Sequence, residues 1–257
     1  GTQALIFALQ ARNPNASKGI LIPAVSFIAT VNVTQMITEY TAVCDVDFGG
    51  LIDLSTLNEP LHDKFDTLMY VNLFGNTVDY DKFRVMTEFF NDDMYVIEDA
   101  AQSFGASYKG IPSGKMGTVS VLSFDTTKNL NNYGSGGMLL TDDDYLYNLF
   151  NDFKDNGKAS GHEVAGTNSK MSEVDCAQMN IKLDYFDQWQ KRRTEIANFY
   201  IETFGQYVDI LPTTAGTTAW TPVTCRSSNC RCVPWRGCPW CSRASTAPAS
   251  CSTCWVT

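Results

Sequence analysis

A chain of 257 residues is long enough for one large domain or two modest ones, and 44% hydrophobic with 18% charged side chains is the balance of a globular protein. A formal net charge of −9 argues against a nucleic-acid groove. No apolar run approaches the ~20 residues of a membrane span and no signal peptide opens the chain, so the expectation is a cytoplasmic enzyme.

The opening "GTQALIFALQ" enters a helix at once, as though in mid-domain, and the pattern predicts a helix over 2–12. From there to about residue 155, short apolar runs alternate with amphipathic stretches. Strands are expected at 19–22, 41–46, 67–72, 94–99, 118–124 and 137–141, and helices at 26–38, 79–90 and 142–155. Strands of four to seven residues alternating with helices imply a mainly parallel sheet covered on both faces. Ligands in such folds bind beyond the carboxyl ends of the strands, where Asp99 and Ser123 fall. Apolar residues at three- and four-residue steps then predict one long helix over 172–204, with Ser172 and Asp175 as its capping start.

After "DILP" at 209–212 the periodicity stops. Residues 213–257 contain no Asp, Glu, Lys, Leu, Ile, Phe, Tyr or Met, yet hold seven of the nine Cys and four of the five Trp. Cys238-x-x-Cys241 and Cys251-x-x-Cys254 have the form of a zinc site, and seven cysteines also suit a disulfide framework. Disulfides disagree with a cytosolic enzyme, and a segment whose only core aliphatics are Val and Ala disagrees with a packed domain. The favoured reading of the tail is an out-of-frame or cloning artefact, and no metal ligands are assigned. Cys44 and Cys176 read as ordinary buried thiols.

The chemistry concentrates in "SFDTTKNLNNYGSGG" at 123–137. Lys128 lies between a hydroxyl-rich turn and a glycine run, and Asp99 ends an apolar strand, where a carboxylate is costly unless a cation meets it. Ser123 and the glycine run offer hydroxyl and N–H donors suited to a phosphate. A lysine, a carboxylate and a phosphate cradle are what pyridoxal phosphate requires: an amine for covalent attachment, a partner for the pyridinium nitrogen and an anion site. A free lysine has a pKa near ~10.4, so the neutral amine costs roughly 4–5 kcal/mol at pH 7 unless its surroundings help. Covalent attachment to the cofactor removes that cost between turnovers.

The segment "VIEDAAQSFGASYKGIPSGKMGTVSVLSFDTTKNLNNYGSGGMLLTDD" (96–143) closely resembles the DegT/DnrJ/EryC1/StrS sugar aminotransferases, of the fold-type I aspartate aminotransferase class. "GTQAL" resembles their phosphate-binding Gly-Thr turn, and "IPAVSFIATVN" their Pro-x-x-Thr-Phe-x-Ala-Thr segment. "VNLFGN" resembles Val-His-Leu-Phe-Gly, and "GTNSKMSEVDCAQMNIKLDYFDQWQKRR" the Gly-x-Asn-x-Arg-Met-Ser region with its following helix. The resemblance covers residues 1 to about 212. It implies a three-layer α/β/α large domain at 1–185 lacking its N-terminal part, a linking helix and the start of a small domain at 186–212, and an aberrant tail at 213–257.

By the same resemblance Lys128 would attach the cofactor and then act as acid and base for the 1,3-proton shift. Asp99 would bind the pyridine nitrogen and Gln102 would sit near the ring hydroxyl. Phe27, otherwise a core aromatic, would stack on the ring, while Thr2, Gln3 and Ser123 hold the phosphate. Asn168 would reach the phosphate of the neighbouring subunit, making the active site shared within a homodimer. The implied reaction moves an amino group from an amino acid, with glutamate as the expected donor, to a nucleotide-linked keto sugar. Sibling dehydratases resemble His-for-Lys replacements, which Lys128 opposes; a further alternative is an inactive transferase-like scaffold with a zinc-binding tail. The sequence departs from the family at Asn72 for its His, Ser26 for its Thr, Lys170 for its Arg, and in a glycine run one residue longer.

Overall fold

A computed structural model describes residues 1–12, 18–37, 40–56, 64–90, 94–218 and 225–226. Its centre is a six-stranded sheet built from β1 (Gly19–Pro23), β2 (Thr41–Cys44), β3 (Phe65–Val71), β4 (Tyr95–Asp99), β7 (Val119–Ser123) and β8 (Gly137–Leu140). The spatial order is β2-β1-β3-β4-β7-β8. The first five strands run parallel and β8 closes the edge antiparallel to β7, with Ser123 opposite Gly137. Every residue of β1 and of β7 is buried, the expected state of strands covered on both faces.

Alternation along the strands sends side chains into two separate cores. Ile20, Ile22, Met69, Ile97 and Val121 pack against α1 (Thr2–Gln10), α2 (Ile28–Ile37) and α4 (Asp144–Lys154) on one face. Leu21, Leu68, Tyr70 and Val96 pack on the other face with Phe83 of α3 (Tyr80–Phe90). A third core under α5 (Glu173–Phe204) gathers Ala100, Leu122, Phe124, Leu130, Met179 and Phe186. The arrangement is the three-layer α/β/α architecture expected from the alternating pattern, with an antiparallel edge strand.

The predicted boundaries of these strands and helices fall within two residues of the observed ones, and the caps account for two of them. Asp143 accepts a hydrogen bond from the Leu146 N–H at 3.0 Å and so starts α4 two residues later than the apolar pattern does. Ser172 accepts from the Asp175 N–H at 3.1 Å, as anticipated. Cys44 is buried, and burial pushes its thiol up to about 11. Cys176 is exposed, which corrects the expectation of a buried thiol: α5 buries only Met179 and Phe186, and its first turn projects into solvent.

Two-residue strands complete the fold. β5 (Ser107–Tyr108) pairs with β6 (Ile111–Pro112) and with β10 (Thr217–Thr218), and β9 (Asp209–Ile210) pairs with β11 (Cys225–Arg226). The compositional break at 213 therefore falls within a segment hydrogen-bonded to the sheet domain. The Thr214 N–H donates to Asn76 Oδ1 at 3.0 Å and the Lys109 N–H to the Gly216 carbonyl at 2.8 Å. Residues 219–224 and 227–257, including both C-x-x-C units, lie outside the described residues.

Candidate active site

The parallel strands deliver their last residues to one rim of the sheet, and two of these are Asp99 of β4 and Ser123 of β7. α1 begins at the same rim. The Gly1 nitrogen donates to the Gly136 carbonyl at 2.8 Å, and a Cβ on Gly1 would lie 2.8 Å from Ser123 Oγ. A Cβ on Gly137 would lie 2.6 Å from the Gly1 nitrogen, so glycine at both positions is what lets α1, β7 and β8 converge. Among the described residues no side chain caps α1, and its first turn holds no acid. The helix thus presents unclaimed N–H groups beside a buried serine hydroxyl, an arrangement that suits a phosphate. Thr2 and Gln3 are exposed in that first turn.

Asp99 is almost fully buried. Its Oδ1 accepts from the Ala101 N–H at 3.1 Å and its Oδ2 from Thr30 Oγ1 at 3.3 Å, and Thr30 Oγ1 is in turn 2.6 Å from Ser26 Oγ. Burial raises the carboxyl above its ordinary pKa, while the Ala101 N–H, the Lys128 charge and the Thr30 hydroxyl act in the opposite direction. A buried carboxylate held by two neutral donors fits a protonated ring nitrogen.

Lys128 stands in the turn after β7, closed by its own N–H to the Asp125 carbonyl at 2.9 Å. Its Nζ lies 5.9 Å from the centroid of the Phe27 ring. Phe27 is 62% exposed, so it is not a core aromatic, and its face is available for stacking. Gln102 accepts the Phe74 N–H at 3.0 Å, and Phe74 holds the left-handed conformation at φ 57° in the turn Leu73–Gly75. That backbone is unfavourable for an aromatic residue, and the bond to Gln102 helps to hold it.

The chain therefore brings Lys128, Phe27, Asp99, Ser123 and the start of α1 to one rim. Asn168 stands apart: it is exposed, in an isolated bridge with Asp155 near the end of α4. Lys170 pairs with Asp155 beside it.

Two features were missed by sequence reasoning. Thr30 sits one helical turn after Ser26, a spacing that could have flagged it. Glu98, fully buried on the opposite face of β4 from Asp99, accepts five hydrogen bonds, from Asn72 Nδ2, Ser113 Oγ, Gly114 N, Met116 N and Ser120 Oγ. Asn72 also accepts the Val78 N–H at 3.1 Å. Asparagine at that position thus bridges a buried carboxylate and the backbone after the Gln102-linked turn.

The chain is 30% identical over 217 residues to the pleiotropic regulatory protein of Geobacillus stearothermophilus, covering 83% of this chain and 58% of the relative. It is 30% identical to the dTDP-3-amino-3,4,6-trideoxy-alpha-D-glucose transaminase of Streptomyces venezuelae, covering 84% and 57%. The chain thus spans less than two thirds of the length of these curated relatives. Among solved structures, an aminotransferase from Psychrobacter cryohalolentis superposes with a TM-score of 0.79 at 28% identity, over 89% of this chain and 64% of that one. A DegT/DnrJ/EryC1/StrS aminotransferase from Brucella abortus gives 0.80 at 25% identity, over 88% and 62%. Residues 1–232 match the DegT/DnrJ/EryC1/StrS aminotransferase family, and the chain belongs to that family, whose members depend on pyridoxal phosphate.

Proposed function

We propose that the whole protein transfers an amino group from an amino acid, with glutamate as the expected donor, to a nucleotide-linked keto sugar. The observation that carries this reading is the placement of Lys128 Nζ near the open face of Phe27, at the rim that also holds buried Asp99 and the uncapped start of α1. Relatives named as transaminases of dTDP- and UDP-linked sugars support the substrate class.

The residues divide the work by their chemistry. The N–H groups of Thr2 and Gln3 with the Ser123 hydroxyl would hold the phosphate, and the Phe27 face would orient the ring. Asp99 would keep a proton on the pyridine nitrogen, and Gln102 would be the residue near the ring hydroxyl. Pyridoxal phosphate, when bound, supplies an electron sink for the carbanion formed beside the transferred amino group. Lys128 would hold the cofactor covalently through Nζ and would serve as the acid and base for the proton moved in the transfer. The sibling dehydratase reading is opposed by lysine rather than histidine at 128. The reading of a zinc-binding scaffold rests wholly on tail cysteines beyond the described side chains.

The test is borohydride reduction of the protein loaded with pyridoxal phosphate, followed by peptide mapping. The label is expected on Lys128; a label on Lys109, Lys115 or Lys170 instead would sink the assignment.

A further inference from the structure

Residues 129–132, Asn-Leu-Asn-Asn, directly follow Lys128 and form neither helix nor strand, so their main-chain groups need partners elsewhere. α5 supplies them. Arg193 Nη2 donates to the Asn129 carbonyl at 2.8 Å. Lys182 Nζ donates to the Asn131 carbonyl at 2.6 Å and to its side-chain oxygen at 3.2 Å, and the Gln178 amide donates to Asn132 Oδ1. Positions 178, 182, 186 and 193 recur at steps of four, four and seven, which places them on one stripe of a helix. Phe186, within that stripe, is buried with its ring centroid 5.0 Å from that of Phe104, in the core that also holds Leu130.

The Arg193 contact is the more specific of the two cationic ones. Its Nη1 donates to Gln190 Oε1 at 2.9 Å, one helical turn earlier, so the guanidinium is aimed before it meets the loop. Burial lowers its pKa from the ordinary arginine value. A hydrogen bond from a cation to a carbonyl in a part-buried setting is stronger than one between neutral groups. Lys128 is thus braced on both sides: by its own N–H to the Asp125 carbonyl, and by α5 on the carbonyl of the next residue.

We propose that Arg193, with Lys182 about three turns earlier on the same helix, is a positioning residue for Lys128, fixing the turn from α5 so that Nζ stays near the Phe27 ring. The inference rests on the proposed role of Lys128 as the cofactor's covalent partner. It separates two ligands that share one pocket: pyridoxal phosphate needs Lys128 in place, whereas pyridoxamine phosphate has no aldehyde and does not.

The full chain and its Arg193→Met and Arg193→Lys variants are titrated with both compounds by absorbance and intrinsic fluorescence. Arg193→Met is expected to weaken pyridoxal phosphate binding by about tenfold to a hundredfold, as for a lost charged hydrogen bond, and to leave pyridoxamine phosphate within about twofold. The same variant should slow borohydride labelling of Lys128, and Arg193→Lys should recover part of the loss. Equal weakening of both ligands, or no weakening of either, overturns the proposal. If Arg193→Met does not fold, Lys182→Met is read for the same split, and its failure to separate the ligands counts equally against the idea. An unsubstituted chain that is never labelled on Lys128 would instead defeat the functional reading, and this inference with it.

Discussion

Asp99 occupies a place where an ionised carboxylate is destabilising, and the fold leaves it there with two neutral donors and a lysine nearby. Its folded pKa lies above the unfolded value, so the stability it contributes is fully present below the unfolded pKa and is lost as pH rises through the folded one. Replacing it by asparagine removes that loss. Cofactor-free Asp99→Asn is therefore expected to melt at a higher temperature than the unsubstituted chain at pH 7–8, with the gap narrowing toward pH 4. The same variant should bind pyridoxal phosphate at least about tenfold more weakly, since the ring nitrogen loses its anion. Calorimetry across pH with a parallel cofactor titration checks both; a lower melting temperature at pH 7 would contradict the argument. Asp99 and Lys128 were legible because each breaks a strong local pattern, an acid ending an apolar strand and a lysine before a glycine run. Thr30 and Glu98 were not. Beyond its spacing from Ser26, a threonine in an apolar helix takes its meaning from a neighbour 69 residues away, and one more acid beside Asp99 from neighbours 15 to 26 residues away.

The elements were readable for a related reason. Each strand and helix of the main sheet carries its own period, so its existence follows from local residues, whereas its partner does not. The two-residue strands β5, β6, β9, β10 and β11 are too short to show any period, and they form only where distant backbone meets. The meeting of α1, β7 and β8 is such a case, and it yields a test. In the sequence Gly137 reads as the end of the glycine run and the start of a strand, yet a Cβ there would stand 2.6 Å from the Gly1 nitrogen and 3.0 Å from the Leu122 carbonyl. Both neighbours are backbone and cannot rotate away. Gly137→Ala is expected to lower stability by about 1–3 kcal/mol, as overpacking does, and to weaken phosphate and pyridoxal phosphate together by moving the start of α1. Denaturant melts and a phosphate titration measure these effects; an unchanged phosphate affinity would mean that α1 is not the anion cradle.

At the scale of the whole molecule, apolar side chains remain exposed around the site. Phe27, Ile28 and Met36 lie on or beside α2, Val43 and Phe48 lie near β2, and Asn168 is exposed at its bridge with Asp155. A homodimer with shared sites, as the family resemblance implies, would cover such a surface. Mixing Lys128→Ala with Asn168→Ala chains should then restore cofactor binding that neither shows alone, through one intact site per heterodimer. Tight binding by a strictly monomeric preparation would contradict it. The tail gives the last test. If residues 213–257 are an out-of-frame continuation, they still begin by fitting the domain. Thr214 meets Asn76, Gly216 meets Lys109, and Thr217 pairs with Tyr108 and shares a hydrogen bond with Thr77. Ending the chain after Pro212 removes these contacts and should cost about 2–4 kcal/mol at ordinary hydrogen-bond strengths. Ending it after Thr218 removes only the two-residue pairing of Cys225–Arg226 with Asp209–Ile210 from the described contacts, and should cost about 1 kcal/mol or less. Thermal melts of the two truncations separate the segment that belongs to the sheet domain from the one that does not. Reading the coding DNA in the other two frames past codon 212 should then yield an amphipathic continuation, because a folded small domain must supply the aliphatic surface that this tail lacks. A tail that binds zinc stoichiometrically, with no such continuation in either frame, would make it a genuine module and overturn the reading.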